Sequence, residues 1–440
     1  METMKDSGVR WIGKIPDSWD LIRTKHFSYM KGRIGWQGLT ANEFIEEGPY
    51  LVTGTDFENG RVCWERSYHI SDKRYEEAPE IQLKVGDLLV TKDGTIGKLA
   101  YIDELPGKAS LNSHLLVMRP LKNKYTNRFL FWVLSSIVFI EYYTLVSDGS
   151  TMDSLSQEKM GNFVFPTPPV WEQESIADYL DTHCGQLDSI IGDLEKQIET
   201  LKAYKKSLIT EAVTKGLDGS VPMKDSGIVT IGEIPQHWDV KRLKYALAVP
   251  LQYGANETGD DFDEENPRYI RITDITEDNK LKEDGKQSLQ YKLAKPYLLK
   301  DGDVLFARSG ATVGKTFYYS SDCGPAAFAG YLIKAATNRS VLNPRFLFYT
   351  TLGVGYDNWK NTVFTQATIQ NIGADKYAGL PVTLPPVDEQ QSIIDYLDVA
   401  CAKIDDTLEV KITQLKIMEQ HKASLIFEYV TGKKRVKEVR

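Results

Sequence analysis

Residues 309–316 come closest to a chemistry-bearing motif. Ser309-Gly310-Ala311-Thr312-Val313-Gly314-Lys315-Thr316 nearly spells a phosphate-binding loop. That chemistry needs a Gly-rich turn leading into a helix whose first amides cradle phosphate. Here Ser309 stands at the first glycine position, and residues 304–307 and 316–319 read as strands, so no helix start follows. Residues 92–99, Lys92-Asp93-Gly94-Thr95-Ile96-Gly97-Lys98-Leu99, echo the pattern without the final hydroxyl. Both stretches read as Gly-bearing hairpin turns. Asn343-Pro344-Arg345 is a turn, not an Asn-Pro-Pro-aromatic methylation motif. The six histidines form neither HxxxH nor HExxH, and His183, beside an apolar seam, reads as packing. Four cysteines without a CxxC indicate neither a disulfide framework nor a zinc site, and reduced thiols are expected. The carboxylates form no nuclease constellation. The expectation is no catalytic residue, no metal and no directly bound cofactor.

The elements that must position these turns occur twice. Met4-Lys5-Asp6-Ser7-Gly8 returns as Met223-Lys224-Asp225-Ser226-Gly227. Ile12-Gly13-Lys14-Ile15-Pro16 and Trp19-Asp20 return as Ile231-Gly232-Glu233-Ile234-Pro235 and Trp238-Asp239. Gly86-Asp87-Leu88-Leu89 matches Gly302-Asp303-Val304-Leu305, and Arg128-Phe129-Leu130-Phe131 matches Arg345-Phe346-Leu347-Phe348. Pro168-Pro169-Val170, Glu172-Gln173 and Asp178-Tyr179-Leu180-Asp181 match Pro385-Pro386-Val387, Glu389-Gln390 and Asp395-Tyr396-Leu397-Asp398. The offset stays between 216 and 219 residues, so one unit is written twice in tandem. Residues 31–56 and 251–274 share little: a common frame carries different loops.

Each copy reads as a mixed α/β domain followed by a long helix. Strands are expected at residues 81–90, 98–102, 115–118 and 269–275, and a helix with an aromatic face at 128–140. Beyond the Pro-Pro pair, Leu180, Leu187, Leu194, Leu201 and Leu208 recur every seven residues, with Cys184, Ile191 and Ile198 in the companion seam. The second copy holds the register with Leu397, Ile404, Met418 and Leu425, plus Cys401, Leu408 and Leu415; Lys411 interrupts it once. Glu172 and Glu174 suit the positive end of the helix, and Gly216 ends it. Neither helix, roughly 65 Å long at 1.5 Å per residue, can bury its stripe alone. The first leads into the Met223 segment; the second ends where that motif would recur, and the motif stands instead at residue 4. The second helix should therefore run antiparallel to the first and return to the first unit, giving a pseudo-two-fold repeat in which Cys184 and Cys401 form no disulfide.

Hydrophobic residues at 42% and charged ones at 26% describe an ordinary globular chain. No apolar run reaches the roughly 18 residues of a membrane helix, and residues 1–10 lack a signal-peptide core, so a cytoplasmic location is expected. A net charge of −8 excludes a surface coated in basic groups but leaves room for local basic stripes.

The repeated WIGKIP/IGEIP segments, the GDLL/GDVL strands and the PPVWEQESIADYLD and PPVDEQQSIIDYLD helix starts resemble the specificity subunits of type I restriction–modification systems over essentially the whole chain. That resemblance implies an α+β fold with two target recognition domains separated by two long antiparallel coiled-coil helices. It places the first domain, with its repeat segment, at residues 1–165 and the first helix at 166–216. A linker, repeat segment and second domain follow at 217–382, then the second helix at 383–432 and a basic tail at 433–440. It implies a non-catalytic subunit that reads a bipartite duplex DNA target. Two methyltransferase subunits would dock on the helices, and two restriction subunits would join. S-adenosylmethionine, Mg and ATP would be used by those partners. The alternatives are a coiled-coil protein-interaction scaffold without DNA readout and an enzyme with a disguised site.

Candidate DNA contacts lie in the divergent or polar loops. In the first unit they are Lys31, Arg33, Trp36, Gln37, Lys92, Thr95, Lys98, Ser147, Ser150 and Thr151. In the second they are Gln252, Tyr253, Asn256, Arg308, Ser309, Thr312, Lys315, Lys360, Thr365 and Gln366. Arg suits guanine and Asn or Gln suits adenine, whereas Lys, Ser and Thr suit phosphates. For each one taken singly, a solvated loop is the plain reading. Tyr142, Tyr143, Trp132 and Tyr349 read as core. Lys433, Lys434, Arg435, Lys437 and Arg440 read as a frayed basic terminus.

Overall fold

The computed structural model describes residues 3–33, 39–147, 154–365 and 371–436. The chain forms two compact units, Met1–Glu195 with Thr413–Arg440, and Lys196–Ile412. The two long helices are Val170–Lys215 and Val387–Val430.

In the first unit an antiparallel sheet runs Leu99–Tyr101, Leu88–Thr91, Leu115–Pro120, Ser28–Lys31. A second sheet joins Ala109–Leu111, Ile45–Val52 and Tyr68–His69. Asp20–Arg23 pairs with Val164–Thr167, so the segment entering the domain lies beside the segment leaving it. The second unit repeats this frame. Gln252–Tyr253, Leu332–Ala335, Val304–Ala307 and Thr316–Tyr318 form its first sheet, and Asp239–Arg242 pairs with Pro381–Leu384. Its second sheet is built differently, from Asp260–Asp261, Gln287–Ser288, Arg268–Ile270 and Ala326–Phe328. The central strands Leu88–Thr91 and Val304–Ala307 are buried along their whole length, which their continuous apolar runs require.

Several expected elements are shorter or broken. The strand expected at 81–90 begins at Leu88, because Gly86 takes φ +90° and the Asp87 carboxylate accepts from Lys84 N at 2.8 Å, closing a turn. The helix expected at 128–140 is two, Asn127–Leu134 and Ile137–Ser147, bent by 63°. The Ser135 and Ser136 hydroxyls donate back to Phe131 O and Val133 O at the break. The strand expected at 269–275 covers Arg268–Ile270, since the Asp274 carboxylate accepts from Arg271 N at 2.8 Å and holds residues 272–274 in a short 3-10 turn.

The repeated motifs lock domain to helix. Pro169 O accepts from Glu172 N and Gln173 N, and Pro386 O from Gln390 N, so the Pro-Pro pairs start the helices. Gln173 is fully buried; its Oε1 accepts from Thr126 N at 2.8 Å and its Nε2 donates to Lys124 O and Pro168 O. Gln390 does the same with Asn343 N, Val341 O and Pro385 O. The RFLF and DYLD motifs meet in Arg128–Asp181 and Arg345–Asp398, and Trp132 Nε1 donates to Asp181 at 2.7 Å where Tyr349 OH donates to Asp398.

The long helices run antiparallel within each unit. In the first, the Tyr179 ring stacks on Tyr429 at 4.4 Å, while Asp188, further along, accepts from Lys422. In the second, Lys205 donates to Asp405, and Val213 O, nearer the helix end, accepts from Thr383, earlier in the chain. Leu180, Leu187, Leu194, Leu397, Ile404, Leu408 and Leu425 are buried; Ile191, Ile198, Leu201, Leu208, Leu415 and Met418 are half-buried. All four cysteines are free, and burial pushes the Cys184 thiol up to about 11.

The tail is not frayed where it is described. Gly432 lies against Pro16 and Trp19, Lys433 Nζ donates to Ile12 O at 2.9 Å, and Arg435 pairs with the buried Glu172. Its backbone continues from a buried helix end, and each cation finds a fixed acceptor, so ordering outweighs the entropy of a loose terminus. Lys437 and Arg440 lie outside the described residues. The chain's end thus returns to the first unit.

Candidate nucleic-acid interface

Both near-miss loops are hairpin turns leading into strands. In the first unit Thr91 Oγ1 donates to Thr95 O and accepts from Lys98 N, and Gly97 takes φ +82°. In the second, Gly310 and Gly314 take φ +75° and +84°, and the loop leads into the strand Thr316–Tyr318, not into a helix.

The residue after each central strand is clamped by its backbone from two sides. Lys92 N donates to His114 O at 2.9 Å, and Lys92 O accepts from Leu155 N at 2.8 Å. Arg308 N donates to Tyr331 O at 3.0 Å, and Arg308 O accepts from Ile372 N at 2.8 Å. The neighbouring edge strand holds a common register: Lys31 pairs with Val117, and Gln252 with Lys334. The next residue is Gly32 in one unit and Tyr253 in the other. One backbone frame therefore presents Lys92, His114 and Gly32 in the first unit, and Arg308, Tyr331 and Tyr253 in the second. Tyr253 is 45% and Tyr331 60% exposed, and His114 is exposed with Asp93 3.4 Å away. His114 and Tyr331 escaped the sequence reading. The signal was there, since each immediately precedes the strand Leu115–Pro120 or Leu332–Ala335 of the repeat.

The remaining candidates divide by what already holds them. Lys31, Thr95, Lys98, Gln252 and Asn256 are exposed, and Lys92, Ser309 and Thr312 are half-buried. Arg33 is not a free loop cation: it is 3% exposed, donates to Leu111 O and Ser110 Oγ at 2.9 Å, and burial lowers its pKa. Lys315 pairs with Glu277 at 2.7 Å and Lys360 with Asp357 at 2.9 Å, so neither side chain is uncommitted. Ser147 and Thr365 end the helices Ile137–Ser147 and Val354–Thr365. Trp36, Gln37, Ser150, Thr151 and Gln366 lie outside the described residues. Trp132, Tyr142 and Tyr349 are buried, and His183 stacks on Tyr179 with ring centroids 3.8 Å apart. Among the described residues no group of three or more His, Cys, Asp or Glu could hold a metal, and no single helix is long and apolar enough to cross a membrane.

The chain thus consists of duplicated domains with a shared frame and divergent loops, each followed by a long helix. The family model for the type I restriction modification DNA specificity domain matches residues 37–200 and again 252–416, more than half of the chain. The chain belongs to that family. It is 25% identical over 433 residues to the type I restriction enzyme MjaVIII specificity subunit of Methanocaldococcus jannaschii, covering 96% of this chain and 95% of that one. It is 25% identical over 415 residues to the EcoBI specificity subunit of Escherichia coli, covering 91% and 83%. A solved structure described as the basis of complex assembly and conformational transition of the type I R-M system shares the fold, with a TM-score of 0.65 at 15% identity over 95% of this chain and 99% of that one.

Proposed function

We propose that this chain is the non-catalytic DNA specificity subunit of a type I restriction–modification complex. Each unit reads one half of a bipartite target; the long helices set the spacer and dock two methyltransferase subunits, with restriction subunits joining them in the cytoplasm. The partners supply S-adenosylmethionine, Mg and ATP chemistry. The observation that carries this reading is the clamped pair of positions, Lys92 with His114 and Arg308 with Tyr331, where equal backbone bonds present unlike side chains. Such positions change what is read without changing the fold. Phosphate contacts would supply affinity with a salt dependence despite the net charge of −8. A protein-only scaffold gives no reason for cations at these clamped sites.

The test is methylation mapping in a host expressing the chain with its methyltransferase. The expected motif has two half-sites and a fixed spacer. Replacing residues 31–56 with the segment from a relative changes one half, and adding a heptad to both helices shifts the spacer. No bipartite motif, or both halves changing together, refutes the reading.

A further inference from the structure

The cations of the second unit fall into two groups. Lys315, Lys360, Arg268, Arg271 and Arg345 are each paired with a carboxylate. Arg308 is not. Among the described residues no carboxylate or carbonyl accepts from its guanidinium, and its buried Nε has no partner. The ring of Tyr253 lies under it, with its centroid 5.0 Å from the guanidinium carbon.

We propose that Arg308 reads a guanine in the half-site recognised by the second unit, with Tyr253 as its positioning residue. This rests on the specificity-subunit reading above. A guanidinium offers a planar fork of N–H donors that matches guanine O6 and N7, and only an arginine free of carboxylates can present it. A long side chain must also be ordered before binding, and here that ordering is built in. The Arg308 backbone is bonded on both sides, to Tyr331 O and from Ile372 N. The Tyr253 ring beneath the guanidinium is fixed in turn: its OH accepts from Ala374 N at 3.0 Å, and its backbone pairs with Ile333. A second buried polar atom in the same turn, Thr312 Oγ1, also lacks a partner. Buried groups left unmatched are costly. The equivalent positions of the first unit form no such reader, since Lys92 is a point charge and Gly32 provides no ring.

The experiment compares methylated motifs in hosts expressing the methyltransferase with wild-type chain, Arg308→Ala, Arg308→Lys, Tyr253→Ala or Tyr253→Phe. The half that stays constant when residues 31–56 are replaced belongs to the second unit. The wild-type motif should carry a guanine there. Arg308→Ala should relax that one position, lowering discrimination roughly ten- to hundredfold, with all other positions unchanged. Tyr253→Ala should weaken discrimination at the same position only, and Tyr253→Phe, which keeps the ring and loses the bond from Ala374 N, should weaken it less. A second-unit half without guanine overturns the proposal. So does an Arg308→Ala chain of wild-type melting temperature that methylates the unchanged motif, or one weakened equally at every sequence, which would make Arg308 a phosphate anchor. If Arg308→Ala fails to fold, Arg308→Lys decides, because it keeps stem and charge but loses the fork; unchanged discrimination overturns the assignment. Absence of any bipartite motif in the wild type refutes the parent reading, and the assignment of Arg308 with it.

Discussion

Removing the Gln390 amide should unfasten the second domain from its helix. The side chain is fully buried, accepts from Asn343 N at 2.7 Å, and donates to Val341 O and Pro385 O, both at 2.9 Å. Gln390→Ala deletes three hydrogen bonds and leaves one N–H and two carbonyls without partners. A net bond is worth about 1 kcal/mol and an unpaired buried group costs about 1–3 kcal/mol. Water entering the vacated space recovers part of that, so a loss of about 3–4 kcal/mol is expected, at the high end for one substitution. Hydrogen exchange in urea, followed by segment, should show the loss within residues 196–412. Gln391→Ala is the control, because that side chain is exposed and bonds to Asn343 Nδ2 and Asp395. A loss under about 1 kcal/mol, or an equal loss in the control, refutes the reasoning. Gln390→Glu adds a sign. A carboxylate facing two carbonyls is disfavoured, so its folded pKa lies above the unfolded value, and the variant should lose stability as pH rises through that folded pKa.

Arg435→Ala should destabilise the first unit by about 1–3 kcal/mol, because it removes the guanidinium paired with the buried Glu172, whose carboxylate also accepts from Trp19 Nε1 at 3.3 Å. His237→Ala, whose partner Glu389 is more exposed, should cost under about 1 kcal/mol; melting temperatures that rank the two the other way refute the contrast. Burial would raise the Asp357 pKa, but hydrogen bonds from Lys206 and Lys360 outweigh it and hold it below the usual carboxylate range. Its contribution is therefore full above the unfolded carboxylate pKa of about 4 and is lost as pH falls from there through the lower folded pKa. The stability gap between wild type and Asp357→Asn should shrink from pH 7 to pH 3; a constant gap would count against the ion pairs.

The duplicated frame was legible because its signals are periodic or repeated. The heptads specify paired helices, and the Pro-Pro-x-x-Glu-Gln starts mark the helix beginnings. What the repeats are for was not legible. Gln173 and Gln390 satisfy backbone groups some 47 residues away in sequence, and no local pattern announces that. Strand ends were misjudged where a carboxylate, Asp87 or Asp274, captured backbone amides and closed a turn inside an apolar run. The tail misled for a related reason: Lys433 and Arg435 look solvated until Ile12 O and Glu172 are placed beside them. Among the site residues, composition selects cations equally well whether they are free or paired. Arg33, Lys315 and Lys360 could be told from Arg308 only once their acceptors were visible.

The asymmetry between the two units bears on how such a protein changes its target. At residues 92 and 114 the frame uses only main-chain atoms, so Lys92→Arg and His114→Tyr should leave stability within about 0.5 kcal/mol. They should nevertheless alter the first half-site, since the Lys92 side chain and the exposed His114 ring, whose neighbour is Asp93 at 3.4 Å, hold no backbone of the fold. Transplanting the whole platform is another matter. A Cβ on Gly32 would lie 2.8 Å from Leu115 O, so Gly32→Tyr requires the edge strand to move. Lys92→Arg alone should thus gain a fork without a ring beneath it, and discriminate guanine more weakly than Arg308 does, because each binding event must then order the side chain. If Lys92→Arg matched the discrimination of Arg308, the stacked tyrosine would contribute nothing, and reading would depend on side-chain identity alone.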